Sequence, residues 1–514
     1  MLKKAHQHIY YLLLLLFAVA LPTSKAAINV LGGALFVNWI LEWNWKEKWA
    51  LLKENRLSLV FGLFFLAFAY GFISTDDVSV SLRAWVSKIP FLLPIVIATT
   101  EKPDLKRQKF LMLTFSITVT VASVMSLIIL QINGYQNIRE CGLFISHIRF
   151  SICAVLAILM NFLLAKQIYE EEQLDKRKHL MAWLNIAMAV WCVVYLFVIQ
   201  VFTGIILLFL FVCIILAYYL FARQHVFKGK RWIIGGGCVL LLFVVGWFIY
   251  VTIDYFHYDK MQEKSLPVLT AAGNPYVHDV NSYVENGHKV GLFVCEEELR
   301  ASWQQRSAMP YDSVRQTLIR YLNSKGQTKD AAGVSAMSNT DVHRVESGMA
   351  NVAYAERIGL RRMLYPTYFC FTLYERDGIF FNSSVLQRVE LWKNSWVVFK
   401  ERPWTGYGLG RSKAALNRQL DRIHSPLRRD MGCHNQFLTY LLTGGIPLLL
   451  AFLLFFASPL WLLKEKHTLF YCLFWMAIFL SLFAEDTLET GTGLYLYLFF
   501  SSFLLFNSHQ EIQH

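Results

Sequence analysis

Charge is scarce in this sequence. Asp, Glu, Lys and Arg make up 17% of its 514 residues, against 56% apolar residues and 15% aromatics. A water-soluble chain of this length normally carries about a quarter charged residues. The ten-residue alternation of an outer-membrane barrel is missing as well. So is any CxxC or His/Cys pair at zinc spacing, which leaves neither a metal site nor a cofactor to expect. Internal repeats and low-complexity linkers are absent too.

What is present is apolar sequence in long blocks. Runs of roughly 18–25 apolar residues match the hydrocarbon thickness of a bilayer, and in lipid such runs must be helical to pair their backbone groups. The blocks fall at about 8–22, 26–41, 57–74, 80–99, 110–131, 144–165, 181–199, 201–221, 232–253, 436–462, 468–484 and 493–507. The expected fold is therefore all-α, a polytopic membrane protein of about 12 transmembrane helices. Lys3 and Lys4 ahead of the first run give it the look of a signal peptide, but eleven further runs favour a span. The boundary between the seventh and eighth runs is the least marked, because Trp191 to Tyr219 is apolar almost throughout.

With a cytoplasmic N-terminus, the loops 1–8, 42–56, 100–109, 166–180, 222–231 and 463–467 fall inside and hold 20 Lys and Arg. The short outer loops hold two, Lys25 and Arg139. That asymmetry follows the positive-inside rule and places both ends of the sequence in the cytoplasm. The net charge of +13 is then mostly a topology signal. Nucleic acid is not an expected partner, since the basic residues sit in membrane-flanking clusters rather than on one soluble domain.

Three parts are expected: an N-terminal membrane bundle over 1–253, a large, mostly helical extracytoplasmic insert over 254–433, and a C-terminal bundle over 434–514. The insert holds 24 Lys and Arg against 19 Asp and Glu, with helix-like stretches at Tyr311 to Ser324 and Val385 to Phe399. Structureless loops of this length are rare. Cys141, Cys295, Cys370 and Cys433 face the oxidising side, where one or two disulfides are open to them. Cys153, Cys192, Cys213, Cys238 and Cys472 lie in the spans, where a small apolar side chain is reason enough.

The chemistry concentrates where the insert returns to the membrane. Val385, Val389, Trp392, Trp396 and Phe399 recur at helical spacing as one apolar stripe, with Arg388, Lys393 and Lys400 off it. Such a helix either lies at the interface, basic face to the headgroups, or packs with its charges solvated. Pro403-Trp404-Thr405-Gly406-Tyr407-Gly408-Leu409-Gly410 allows tight turns and close approach to a ligand, but lacks the context of a nucleotide-binding loop. Gly432-Cys433-His434-Asn435 precedes the tenth span. A helix N-terminus there suits a phosphate, and His434 has the titration range of a general base. Taken singly, such a His is more often an interfacial polar residue. His147 and Arg149 open the sixth span; they either snorkel to the interface or face inwards with a function.

In their order, these motifs resemble the O-antigen ligase/polymerase superfamily: about nine spans, a large outer loop, P-x-x-G-x-G-x-G, then H-N-Q-F-L-x-x-L-L-x-x-G-G-I entering the next span. Ser384 to Trp392 resembles that superfamily's Arg-bearing helix, and Leu318 to Val334 a loop of its Bacteroidetes-type members. The resemblance implies a metal-independent, inverting glycosyltransferase of the inner membrane. It would move a glycan from a polyprenyl diphosphate carrier to an acceptor hydroxyl at the periplasmic face. His434 matches the essential His, the base that deprotonates the acceptor. Arg388 matches an Arg that binds the donor diphosphate, with Arg149 and His147 where another basic residue often stands. Asn435, Gly406, Gly408 and Gly410 would be supporting motif residues.

Many members also carry Ser-Arg-x-Gly at the outer end of a mid-chain span. Here Val201-Phe202-Thr203-Gly204 stands instead, so that Arg149, Arg402 or Arg411 would have to supply the charge. The expected acceptor is lipid A core, as for an O-antigen ligase. The alternatives are a growing glycan, as for a surface polysaccharide polymerase, or a protein hydroxyl. A glycolipid transporter is the reading from a different class, and the absence of internal repeats and of Gly- or Pro-broken paired spans counts against it.

Overall fold

The computed structural model describes residues 2–100, 102–132, 145–171, 175–221, 228–258, 260, 266–356, 359–381, 383–427, 429, 431–462 and 469–506. It is a polytopic all-α protein; the sole paired strands among the described residues are Val284–Glu285 and His288–Lys289. The helices in chain order begin with α1 (Leu2–Thr23), α2 (Lys25–Leu41), α3 (Trp45–Glu54), α4 (Arg56–Ala67), α5 (Val78–Val86) and α6 (Leu93–Ala98). Then come α7 (Leu105–Ile132), α8 (His147–Tyr169), α9 (Lys176–Val198), α10 (Phe202–Phe221) and α11 (Lys228–Phe256). The polar stretch adds α12 (Glu296–Arg306), α13 (Tyr311–Ser324), α14 (Ala331–Ser335), α15 (Asn339–Glu346), α16 (Leu360–Asp377), α17 (Ser384–Glu401) and α18 (Ser412–Arg422). Last are α19 (Gln436–Leu462), α20 (Leu469–Ala484) and α21 (Gly491–Phe506).

Each of the twelve apolar blocks falls on helix, but they differ in reach. Among the described residues, seven helices are long and apolar enough to cross a membrane: Lys3–Thr23, Val78–Ala98, Leu105–Ile132, His147–Tyr169, Lys176–Val198, Gly235–Phe256 and Gln436–Leu462. The pair α2 and α3 makes an eighth candidate only if counted as one span, since it bends by 115°. The blocks at Arg56–Phe72, Phe202–Ala217, Leu469–Ala484 and Gly491–Phe506 are shorter apolar helices. The weakly marked boundary between the seventh and eighth runs lies at 199–201, where Gln200 takes a left-handed φ of 51° between α9 and α10.

By its own packing the chain divides into two compact units, Met1–Phe211 with Gln387–His514, and Val212–Leu386. The three-part division expected from the sequence sorts residues by membrane location instead. In the first unit the core is aromatic. Phe455 of α19 stacks on Phe64 at 4.4 Å and meets Phe61, Phe91 and Tyr497 edge-on at 4.7, 5.5 and 5.9 Å. Edge-to-face and offset contacts of this kind add about 0.5–1.5 kcal/mol each beyond area burial.

The second unit is organised around Leu299, Trp303, Leu318, Leu322, Val334 and Val345, all fully buried. α13 has the expected bounds, with an apolar face of Val314, Leu318, Ile319 and Leu322. The hairpin turns through Asn286 and Gly287 at φ 55° and 73°, the dipeptide that tolerates two left-handed residues in succession. Glu285 on this hairpin is fully buried, with both its oxygens 2.8 Å from Arg320. α15 starts with a capping box between Ser338 and Asp341. Cys295, Cys370 and Cys433 are free thiols, so no disulfide forms among the described residues, and Cys141 lies outside them.

Candidate functional site

The site is built at the N-terminus of α19. His434 precedes the helix with φ 48°, a left-handed conformation that costs free energy in a residue with a side chain. Both its backbone groups are held. The N–H donates to Asp486 Oδ2 at 3.2 Å, and the carbonyl accepts from Trp392 Nε1 of α17 at 3.3 Å. Asp486 Oδ1 takes the Asn435 N–H at 3.0 Å and the Thr439 hydroxyl at 2.7 Å. The Asn435 side chain caps the helix by accepting from the Leu438 N–H at 3.1 Å. The protein's own carboxylate thus takes the two backbone N–H groups just ahead of the helix, those of His434 and Asn435. Glycine at 432 is needed for the same reason, because a Cβ there would lie 2.6 Å from Asp486 Oδ2.

Glu485 holds the ring. Its Oε2 lies 3.3 Å from His434 Nδ1, and its Oε1 accepts from Arg388 Nη2 at 2.7 Å. With Nδ1–H donated to a carboxylate, Nε2 is left as the ring's proton acceptor. Burial pushes the Glu485 carboxyl up, but the His434 hydrogen bond and the Arg388 and His434 charges prevail and hold it below the usual carboxylate range. Asp486 shifts the other way: burial raises it above that range despite the Thr439 bond, and Glu489 adds to the rise.

A cavity of about 620 Å³ opens beside these groups. His434, Glu485, Asp486, Arg149, Lys413 and Thr490 are among its walls. Arg149 reaches it from the first turn of α8, the most deeply buried of the candidate spans. His147 is not among its lining residues; two positions earlier on a helix lies about 200° round the axis. Arg388 stands behind Glu485, while its neighbour Gln387 lines the wall. Of the three arginines considered for the missing mid-chain charge, only Arg149 lines the cavity. Arg402 stacks over Tyr407 at 5.0 Å and Arg411 pairs with Asp76 at 3.9 Å. Gly204 instead packs α10 against α8, where a Cβ would meet Ser151 Cβ at 2.9 Å.

The glycine motif approaches backbone rather than a ligand. α19 breaks at Gly444 and Gly445, whose dihedrals are not helical. The segment 403–408 fills the break: Tyr407 and Gly408 donate their N–H groups to Leu442 and Thr443 carbonyls at 2.8 and 3.0 Å, and Ile446 donates to Pro403 at 2.8 Å. A Cβ on Gly406 would lie 2.7 Å from Gly444 N, and one on Gly445 2.4 Å from Trp404 O. Gly408 and Gly410 take φ 93° and 78° and bring the chain against Gly71 and Val80. The stripe expected on α17 is also rearranged. Leu386, Leu391, Asn394, Ser395, Val398 and Phe399 are the buried residues, while Val385 and Trp396 are exposed. Counting apolar residues alone misses a buried face that includes Asn394 and Ser395.

Glu485 and Asp486 were not foreseen as site residues. Their signal is nevertheless in the sequence: between 469 and 506 the only Asp, Glu, Lys or Arg are Glu485, Asp486 and Glu489. Ionisable residues inserted in apolar sequence are functional candidates by default. No curated protein matches the chain. Residues 342–453, which contain Arg388, the glycine motif and His434, match the family described as O-antigen ligase. Over that segment the chain is similar to that family.

Proposed function

We propose that this protein transfers a glycan from a polyprenyl diphosphate carrier to an acceptor hydroxyl, with His434 as the base. The observation that carries the reading is the Glu485–His434 dyad, held at a strained backbone position on the wall of a cavity that also contains Arg149. A base needs an orienting partner and a free ring nitrogen, and the dyad supplies both. His434 Nε2 takes the proton of the acceptor hydroxyl as its oxygen attacks the anomeric carbon of the donor sugar. The bond from that carbon to the diphosphate oxygen breaks, and polyprenyl diphosphate leaves with the electron pair. One displacement inverts the anomeric centre, and the Arg149 guanidinium on the cavity wall stabilises the departing charge. Arg388, Arg149 and His147 are the donor-binding candidates, with Asn435, Gly406, Gly408 and Gly410 as structural support.

The acceptor we favour is lipid A core, the ligase role, at the periplasmic face of a bacterial inner membrane. The excess of Lys and Arg in the proposed inner loops, 20 against two, supports that orientation. Deleting the gene in its host and resolving the surface polysaccharide by gel separates the roles. A ligase predicts core without polymer and accumulation of lipid-linked polymer. Single repeat units left on the core would mean a polymerase, and an unchanged ladder would reject both. His434→Ala, inserted in normal amount, is expected to reproduce the deletion; full complementation by it would remove the catalytic assignment.

A further inference from the structure

α2 and α3 meet at a corner that side chains hold from inside. α2 ends at Leu41, α3 starts at Trp45, and the two bend by 115° with Trp43 left-handed at φ 50°. Lys48 of α3 is buried and pairs with Glu42 at 3.0 Å. It also donates to the Trp39 carbonyl and lies over the rings of Trp39 and Trp45, at 5.0 and 5.5 Å. Trp39 Nε1 in turn donates to the Thr99 hydroxyl at 2.8 Å, at the end of α6. Lys3 of α1 takes up Glu47 at 3.1 Å. Three helices therefore fix the corner, and α3 leaves it across the direction of apolar α2.

The outer side of α3 has a different character. Trp43, Trp45 and Trp49 are 74%, 40% and 59% exposed. Trp45, Trp49 and Leu52 follow at i, i+4 and i+7 on one face. Lys46, Ala50 and Lys53 follow at the same spacing beside it, all exposed, and exposed Arg56 opens α4. Glu42 and Glu47 are taken up by Lys48 and Lys3, which leaves Lys46, Lys53 and Arg56 in excess over Glu54 on the exposed side. Exposed Lys46, Glu47, Lys53 and Glu54 make α3 too costly to place in hydrocarbon. Three exposed indoles so close together are equally out of place in water. Both requirements are met at headgroup level, where Trp is enriched.

We infer that α3 lies in the membrane interface at the end of α2, with its tryptophans at headgroup level and Lys46, Lys53 and Arg56 on anionic phospholipid headgroups. The pair is then one membrane helix followed by one surface helix, not a broken span. The occupant is lipid because the tryptophans continue an apolar exposed face of α2, formed by Val30, Val37 and Leu41. The charge excess selects phosphate-bearing lipids of net negative charge over zwitterionic ones.

The test uses the full-length protein with a fluorophore on Ala50→Cys, between Lys46 and Lys53, and the unsubstituted protein treated alike as background. In proteoliposomes, nitroxide on lipid headgroups is expected to quench the label more strongly than nitroxide at the ends of acyl chains. In detergent, phosphatidylglycerol is expected to shift its emission at concentrations where phosphatidylcholine does not. A basic residue at an anionic surface is worth about fivefold in affinity, about 1 kcal/mol. Lys46→Gln with Lys53→Gln should therefore raise the half-saturating phosphatidylglycerol concentration about twentyfold, and Lys46→Arg with Lys53→Arg should leave it nearly unchanged. Half-saturation within twofold in the glutamine variant, or phosphatidylcholine as effective as phosphatidylglycerol, would overturn the headgroup assignment. A label that headgroup nitroxide leaves unquenched would place α3 in water or under a protein partner, and would overturn the inference altogether.

Discussion

At the scale of single residues, the two acids after α20 divide the work on His434. Glu485 fixes the ring and Asp486 fixes the backbone. Glu485→Gln keeps the size and an acceptor oxygen but removes the charge that stabilises a protonated ring. It should lower kcat by about ten- to a hundredfold and leave the donor KM nearly unchanged; an equal loss in KM would point to a binding role. Asp486 has a titration signature of its own. Its folded carboxyl is raised by burial, so the ionised form costs stability at neutral pH, and that cost is relieved as pH falls through the folded pKa. As pH falls from neutral through that raised pKa, the unsubstituted protein should therefore gain melting temperature relative to Asp486→Asn, measured by thermal unfolding in detergent. A parallel or opposite trend would refute the buried, raised carboxyl. His434 itself was legible from the sequence because it heads an apolar run after a glycine. Its partners were not, since they lie more than fifty positions away and only folding brings them together.

At the scale of elements, the glycine motif and the break in α19 form one device. The Gly444-Gly445 interruption takes the Ile446 N–H away from the Leu442 carbonyl, Pro447 has no N–H to offer that of Thr443, and 403–408 donates to both. Alternating glycines in the sequence announced tight turns correctly; that their neighbour would be another backbone could not be read from a motif forty residues upstream. Gly406→Ala places a methyl 2.7–2.8 Å from three backbone atoms at φ 61°. It should cost on the order of 3 kcal/mol, seen as a lower melting temperature or as loss of inserted protein. Gly410→Ala meets side chains of Ala84 and Val80 at 3.1–3.2 Å and should be milder. Equal stability of the two variants would contradict the plug. α17 shows the limit of periodicity in another way: its ends were close to expectation, but its buried face includes polar Asn394 and Ser395.

At the scale of the whole molecule, hydropathy located every apolar helix but not its reach. α2 and α3 bend by 115°, and four apolar helices are too short to count alone as spans; turns of this kind are set by packing rather than by local composition. The charge asymmetry makes a direct prediction about sidedness. A Cys at exposed Ser313 should react with a membrane-impermeant maleimide in intact spheroplasts, and one at exposed Lys46 only after lysis, each compared with the unsubstituted protein. The reverse pattern would invert the topology and place the cavity on the wrong side for the proposed acceptor. The most direct measurement of the central claim is transfer by the purified protein in proteoliposomes supplied with polyprenyl diphosphate-linked glycan and lipid A core. Glycan appearing on the core with the unsubstituted protein, and falling by at least about a hundredfold with His434→Ala, is the predicted result; transfer at the same rate by both proteins would contradict it.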